Sequence, residues 1–310
     1  MRRSIRASGG MSGNESALMN RSMEGIARFS RDRIAAAALV ILAVLVLAAA
    51  IAPWASPQNP YDLAQLDVLD ARLPPGSRSD EGRLYVLGTD DQGRDMLSGV
   101  FYGLRTSLLA GTTSTVLALG IGLFFGLLAA WFGGWVDALV MRIVDIQLSF
   151  PSILIALVLL AVLGQGLDKI VVALVSVQWA YYARTVRATA LTERRKDYVD
   201  AAIALAIPGW RIVARHLLPN CLPPLMVVAA LQMAAAITLE ATLSFLGLGL
   251  PITEPSLGLL IANGYTYLLS GKYWISLFPG LALLITIVSI NVVADRLRDM
   301  LDPKLAPSRR

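Results

Sequence analysis

Five long runs of uncharged, mostly apolar residues constrain the fold of this chain more than any other feature. About 20 helical residues, rising 1.5 Å each, cross the roughly 30 Å hydrocarbon core of a bilayer. The runs are Ile34–Ala52, Thr106–Val136, Ile146–Leu167, Leu217–Leu239 and Tyr273–Ala294. Each is long enough for one crossing, and only 16% of the 310 residues are charged, against about 25% in soluble domains. Most of the chain is therefore predicted to lie in a membrane as helices.

A shorter run, Ile170–Ala183, is interpreted as a sixth span because of where the basic residues lie. Its flanking Lys169, Arg184 and Arg187 can extend their charged ends to the membrane surfaces. The 27 Lys and Arg residues cluster seven in residues 1–33, seven in 184–215 and five in 296–310. With six spans and a cytoplasmic N-terminus, all three clusters lie inside, as the positive-inside rule requires. With five spans, the second and third clusters would lie outside.

These assignments divide the chain into three parts. Residues 1–33 are expected to be a disordered cytoplasmic tail, 34–295 the six-span domain and 296–310 a cytoplasmic C-terminal tail. Within the six-span domain we expect an external loop over 53–100, a short cytoplasmic elbow near 133–145 and a cytoplasmic loop over about 188–219. The expected fold class is thus an all-α membrane protein with six transmembrane helices.

The sequence offers no set of residues for catalysis or metal binding. A single cysteine, Cys221, permits no internal disulfide, and a single histidine, His216, leaves no Cys/His cluster for a metal. The glycine-rich phosphate loop of ATPases is absent from the sequence. The net charge of +5 is segregated beside apolar runs, which favours membrane orientation over nucleic-acid binding. We therefore expect neither an enzyme nor a metalloprotein nor a nucleic-acid-binding protein.

The cytoplasmic loop is the most informative stretch. Its composition predicts a helix through Ala188–Ala206, a break at Pro208-Gly209 and a second short helix over Trp210–Leu218. Pro219 and Pro223-Pro224 are expected to redirect the chain as it re-enters the membrane. Two interpretations are open. Small residues would allow a partner protein to approach closely, or the helix could lie on the lipid headgroups.

The same loop resembles the EAA loop of bacterial ABC-importer permeases. The resemblance lies in Asp200-Ala201-Ala202 and, downstream, in Pro219. In that family the loop forms a coupling helix that docks into the ATPase subunit. This chain has Asp200 in place of the usual Glu and Ala206 in place of the usual Gly. The resemblance implies an ATPase-coupling role for Asp200, Ala201, Ala202, Ala206, Gly209, Arg211, Arg215 and Pro219.

Three further motifs resemble the peptide/nickel branch of these permeases. An external motif combines Gly88, Thr89, Asp90, Gly93, Arg94 and Asp95, and two others are Leu243–Gly249 and Leu301-Asp302-Pro303. The resemblance implies the type I permease fold of ABC importers and the second permease of a dipeptide, oligopeptide or nickel importer. It also implies a bacterial inner-membrane location, both termini in the cytoplasm, a second homologous permease, two ATPase subunits and an external substrate-binding protein. Cofactors are not expected, because ATP would be used by the partner subunits.

Three local interactions are also predicted. Thr89 and Gln92 have the spacing of a capping box for the helix that leads into the second span. Arg142 and Asp145 are spaced to form a local ion pair. Glu240, embedded in an apolar run, could line the pathway or hydrogen-bond to a neighbouring helix near the outer boundary, and we favour the second. An ionised group at mid-bilayer costs about 2.5–3.5 kcal/mol on insertion scales, so it should avoid lipid.

Two other functional classes remain as alternatives. A self-contained secondary transporter would need ionisable residues in mid-membrane and repeated half-bundles, whereas this sequence has only Glu240 and no detectable repeat. A membrane anchor without transport would leave the long cytoplasmic loop unexplained. Within the resembled family, nickel or glutathione is an alternative cargo to peptides.

Overall fold

The computed structural model describes residues 32–301, except residues 63, 65, 80 and 81. Most of both expected tails, residues 1–31 and 302–310, therefore lies outside the described residues. The described chain is mostly helical, and its helices contain nearly all the apolar runs. The helices are α1 Arg33–Ala55, α2 Met96–Phe132, α3 Gly134–Leu148, α4 Ser152–Leu163, α5 Leu167–Arg194, α6 Asp197–Ala204, α7 Gly209–Phe245, α8 Leu257–Tyr265 and α9 Trp274–Leu301.

The external loop contains the only strands in the described part of the chain. β1 (Ser77–Arg78) pairs antiparallel with β2 (Leu84–Tyr85). Short 3₁₀ turns lie at Val68–Asp70 and Leu268–Ser270. Apart from these small elements, the described fold is all-α, as the sequence predicts.

Four helices, α1, α2, α7 and α9, are long and apolar enough to cross a membrane. The pair α3–α4 makes a fifth span if it is counted as one helix bent by 88°. Helix α5 has 28 residues, enough for about 42 Å at 1.5 Å per residue, but it carries more polar residues than the other spans. The six-span count thus stays a prediction.

A helix occupies the elbow predicted near residues 133–145. Residues 134–148 form helix α3, and the break falls later, at Ser149–Pro151, ahead of the 12-residue α4. Pro151 has no N–H to donate and disfavours helical geometry in the residue before it, so the helix ends there. The predicted Arg142–Asp145 ion pair is wrong, because Asp145 pairs with Arg184 of α5 instead. Asp137 of α3 pairs with Arg187, which also lies on α5. The two ion pairs therefore hold α3 alongside α5.

Helices α2 and α5 pack together through small residues on α2. Gly122 lies against Tyr182 and Ala183, and four residues later Gly126 lies against Ala183 and Val186. This spacing places both glycines on one face, where the lack of a side chain lets two membrane helices approach closely. The contact brings the C-terminal ends of both helices together and positions the loop that follows α5.

The prolines near the start of α7 do not redirect the chain, contrary to the prediction. The helix runs from Gly209 to Phe245, with a π-helical segment at Val213–Leu217 just before Pro219. Pro223 and Pro224 also lie inside the helix. Each proline removes one backbone hydrogen bond and crowds the carbonyl four residues earlier. A π-helical turn is wider than an α-helical turn, and this one contains the carbonyl of Arg215, four residues before Pro219. The predicted short helix Trp210–Leu218 is therefore the first part of a long span.

Candidate functional site

Helix α6 lies in a short loop between α5 and α7. The predicted single helix Ala188–Ala206 is interrupted, because α5 ends at Arg194 and α6 begins at Asp197. The chain then turns through Leu205–Pro208 and starts α7 at Gly209. Four of the eight residues predicted for ATPase coupling, Asp200, Ala201, Ala202 and Ala206, lie in this loop. The other four, Gly209, Arg211, Arg215 and Pro219, lie in the first turns of α7.

Arg194, the last residue of α5, fastens the loop to the C-terminal end of α2. Its Nη1 donates to the carbonyl oxygens of Ala130 (2.7 Å) and Trp131 (2.6 Å). Its guanidinium also lies over the Trp131 ring, 5.2 Å from the centroid, and Gly209 lies against the same indole. A cation at the last carbonyls of a helix satisfies orphan acceptors and complements the helix dipole. These contacts hold the loop against the end of α2.

A polar network fastens the other side of the loop to α7. Glu193 accepts from Lys196 (2.7 Å) and from the Tyr198 hydroxyl (2.6 Å). The Tyr198 ring lies against His216 of α7, with centroids 5.8 Å apart, and Asn220 of α7 donates to the Tyr198 hydroxyl at 3.4 Å. Partial burial and the hydrogen bond to Glu193 raise the pKa of Tyr198 to about 12. The hydroxyl therefore stays protonated and keeps donating at neutral pH.

The predicted small-residue face does not exist as one surface. Ala202 is only 5% exposed and packs with Val199, Ile212 and Leu217 inside the loop, whereas Ala201 and Asp200 are exposed on the opposite side. Residues one position apart on a helix point in different directions. A bulky side chain at Ala202 would therefore disrupt the loop itself.

Ala206 has a left-handed backbone, with φ of +54°. This conformation brings Cβ close to a carbonyl oxygen in any residue except glycine. The turn that separates α6 from α7 thus explains why the resembled pattern has glycine at this position.

The outward side of the loop carries large apolar side chains. Leu205 is 76% exposed, Trp210 is 69% exposed and Ile203 is also exposed; we call these three residues the coupling face. Arg211 lies over the Trp210 ring at 5.4 Å from its centroid, and Arg215 and Pro219 are exposed further along α7. An apolar patch rimmed by charge on a well-anchored element is typical of a protein–protein contact. This patch was missed from the sequence, since periodicity alone does not show which side a short loop helix buries.

The external motif forms a buried, hydrogen-bonded cap above α2. Thr89 donates from Oγ1 to the Asp70 carbonyl (2.5 Å) and accepts from the Leu73 N–H (2.7 Å). The predicted capping box is therefore wrong. The helix is capped by Asp95, whose carboxylate accepts from the N–H of Ser98 at 2.8 Å.

Tight turns allow the cap to close. Gly88 and Gly93 both have positive φ, and a Cβ on Gly93 would lie 2.1 Å from the Asp67 carbonyl oxygen. Asp90 is fully buried and accepts from the N–H groups of Gln92 (2.8 Å) and Arg94 (2.9 Å). Burial raises the pKa of Asp90 to about 6, with these hydrogen bonds opposing the shift.

Arg94 links the cap to residues 246–272, which the six-span prediction makes the second external loop. Its guanidinium is 1% exposed and donates from Nη2 to the Ile252 carbonyl (2.9 Å) and to Gln92 (2.6 Å). Trp274, at the start of α9, donates from Nε1 to the Thr89 carbonyl at 3.1 Å. The motif thus joins the N-terminus of α2, the segment after α7 and the start of α9, so its residues hold these helix ends together.

Glu240 lies fully buried where α7 meets α2 and α8. Its two carboxylate oxygens accept from Ser107 on α2 (2.7 Å) and from Ser244 on α7 (2.9 Å). Ser256, which caps α8, supplies a further side-chain hydrogen bond. In the described chain the carboxylate therefore joins neighbouring helices and is not open to a cavity.

Two family models match the sequence. The first, described as binding-protein-dependent transport system inner membrane component, matches residues 122–307, more than half of the chain. The second, the N-terminal TM domain of oligopeptide transport permease C, matches residues 23–75. The chain belongs to the binding-protein-dependent transport permease family.

Similar proteins cover nearly the whole chain. A protein named for a peptide transport system permease in Brucella abortus is 42% identical and covers 90% of both chains. A di/tripeptide transport system permease protein of Pseudomonas aeruginosa is 38% identical, over 89% of this chain and 90% of its own. A glutathione transport system permease protein of Pectobacterium atrosepticum is 35% identical, over 90% and 89%.

A solved structure confirms the fold. The permease matches a chain of the inward-facing MetNI methionine ABC transporter with a TM-score of 0.50 and 24% identity. The match covers 66% of this chain and 95% of that chain. The prediction of an ABC-importer permease with the type I fold is confirmed.

Membership of this family establishes where the protein is located and that it belongs to a larger transporter. The chain is a multi-pass inner-membrane subunit of an ABC importer, and it is not an enzyme, because ATP hydrolysis belongs to a separate subunit. It therefore works with an ATPase and a partner permease. Among the described residues, His, Cys, Asp and Glu side chains form no group of three that could hold a metal ion.

Proposed function

We propose that this permease forms, with a second homologous permease, the translocation path of an importer for di- or oligopeptides. Two ATPase subunits supply the energy and an external binding protein delivers the peptide. The coupling face on the cytoplasmic loop transmits ATPase movement to the membrane helices. The names of the similar proteins support peptides as cargo, since two of the three described above are peptide permeases.

The anchoring of the coupling loop carries this proposal. The loop is joined to α2 through Arg194 and to α7 through Tyr198, which contacts His216 and accepts from Asn220. It nevertheless leaves Leu205 and Trp210 exposed. A surface that must move membrane helices needs such rigid attachment inward and a free contact outward. A helix lying on headgroups would not need ties to two spans.

The proposed orientation places both termini and the coupling face in the cytoplasm, with the cap above α2 outside. Six spans give this arrangement, counting α3–α4 as one. The basic residues of the coupling loop then lie on the side where ATP is present.

The coupling face is tested by the substitution Leu205→Asp. A charge at the centre of an apolar contact should weaken docking, because the carboxylate must be desolvated without a partner. We expect loss of ATPase subunits during purification, or loss of the ATP hydrolysis that loaded binding protein stimulates in reconstituted complexes. Leu205 makes no contact in the buried clusters of the loop, so its replacement should leave the permease folded.

Leu269, fully exposed in the second external loop, provides the matched control. Leu269→Asp introduces the same charge on the opposite side and should leave ATPase co-purification unchanged. If Leu205→Asp retained normal co-purification and normal stimulated hydrolysis, the coupling face would be assigned wrongly.

A further inference from the structure

The depth of the break between α3 and α4 in the membrane can be read from the contacts of α3 with α5. Near the start of α3, Asp137 pairs with Arg187. Near its end, Gln147 hydrogen-bonds with Trp179 and with the Ser176 carbonyl. The two helices therefore run antiparallel, and positions on α5 serve as a scale for depth.

This scale places the break near the middle of the membrane. From Arg187 to Ser176 the α5 helix rises about 16 Å, and from Ser176 to its first residue about 13 Å, at 1.5 Å per residue. Together these distances equal the roughly 30 Å hydrocarbon thickness. The interruption Ser149–Pro151 begins two residues after Gln147 and thus lies at about half depth along α5.

Lipid is a poor environment for this interruption. Ser149, Phe150 and Pro151 are exposed in the permease, and α4 begins without a side-chain cap, so the first N–H groups of α4 need partners from elsewhere. Irregular backbone at membrane depth occurs where it is covered by protein or lines a water-filled cavity, and not facing lipid.

An exposed ion pair distinguishes water from protein as the neighbour. Asp145 and Arg184 form an ion pair with side chains 59% and 53% exposed, and Arg184 lies about 5 Å inward of Arg187 along α5. Ser149 lies one turn beyond Asp145 on α3 and donates to its carbonyl at 2.6 Å. Covering these groups with apolar protein would desolvate charges without new partners, whereas water satisfies them. We call Arg184, Asp145 and Ser149 the polar track.

We infer that the polar track lines the cytoplasmic half of the aqueous translocation path, and that the α3–α4 break exposes its backbone to the transported solute at the bilayer midplane. The break offers backbone N–H groups, carbonyl oxygens and the Ser149 hydroxyl. These groups suit a polar, hydrated solute. This inference rests on the proposed transport function, because it names the part of the permease that the solute passes.

Cysteine accessibility tests the inference in the assembled complex without requiring transport. Cys221, the only cysteine of the chain, is replaced by Ala, and Ser149→Cys and Phe150→Cys are made in that background. Val44→Cys on α1 is the matched control, because Val44 and Phe150 are both 59% exposed and Val44 lies at the middle of an uninterrupted apolar helix. Inside-out vesicles without nucleotide are treated with a charged, membrane-impermeant methanethiosulfonate, and labelling of the permease is followed by mass spectrometry.

We expect both break cysteines to react at least about tenfold faster than the control, because only the thiolate reacts and apolar surroundings raise the thiol pKa, each unit lowering the thiolate fraction tenfold. Equal labelling of all variants after denaturation shows that each thiol is present. If both break cysteines react as slowly as Val44→Cys, the break is covered by protein or lipid and the inference is wrong. That outcome would leave the coupling experiment unaffected, so the two proposals fail separately.

Discussion

The contact between α2 and α5 provides a quantitative test of how the bundle is held together. An ideal Cβ on Gly122 would lie 2.4 Å from the Tyr182 Cβ, 2.6 Å from the Trp179 carbonyl oxygen and 2.8 Å from the Ala183 nitrogen. Two of these atoms belong to the backbone, so no rotamer change relieves the clash. Gly122→Ala therefore requires α2 and α5 to move apart.

The neighbouring Gly120 separates this clash from the intrinsic effect of alanine. Gly120 lies on the same helix, and a Cβ there meets no atom within 4 Å. Alanine favours a helix over glycine by about 0.8–1 kcal/mol, a gain common to both variants. Overpacking a close contact costs about 1–3 kcal/mol. Gly122→Ala should thus be less stable than Gly120→Ala by about 1–3 kcal/mol.

Cys221 supplies the assay, because it is fully buried and packs in the same cluster as Tyr182. Reaction of its thiol with a fluorogenic maleimide during a temperature ramp, assigned to Cys221 by peptide mass spectrometry, gives the unfolding midpoint. We expect a midpoint several degrees lower for Gly122→Ala than for Gly120→Ala. Equal midpoints would show that the two helices can separate without loss of stability, and the packing argument would be refuted.

Three further outcomes are expected. Glu240→Gln should leave assembly intact and reduce uptake only modestly, because an amide can still bond to the surrounding hydroxyls, whereas Glu240→Ala leaves them unpaired and should lower the thermal midpoint; complete loss of uptake in Glu240→Gln at normal complex levels would show a direct role in transport. Ala206→Gly should stabilise the coupling loop by about 1 kcal/mol by relieving its left-handed backbone, measured as slower tryptic cleavage at Lys196, and faster cleavage would contradict the strain. Burial raises the pKa of Asp90 from 3.8 to about 6, so the folded cap favours the protonated carboxyl. This stabilisation of the fold is fully present below pH 3.8, and about 3 kcal/mol is lost as the pH rises through 6. Amide exchange of the external cap, corrected for its intrinsic pH dependence, should therefore be slower at pH 5 than at pH 7.5, and Asp90→Asn should abolish this difference.

Several predictions from the sequence failed where partners distant in the chain compete. Asp145 has Arg142 one turn earlier on its own helix, yet it pairs with Arg184 of α5. Thr89 has the capping spacing to Gln92, yet its hydroxyl bonds to the chain near Asp70. Local spacing gives only the partners available within one element, and it contains no information about which other element lies closer.

The amino-acid sequence alone determined the solvent and the family of this protein. Uncharged runs of 19 residues or more can satisfy their backbone groups in lipid only as helices, and the motifs around Asp200 and Gly88 identified an ABC-importer permease. Only the tertiary structure decided which side of each element is buried, which side is exposed and which charges pair. Ala202 faces inward and Leu205 outward because α2 and α7 cover one side of α6. The carboxylates of α3 pair with Arg184 and Arg187 because α5 lies alongside. These outcomes depend on packing between segments far apart in the chain, and hydrophobic periodicity does not encode that packing.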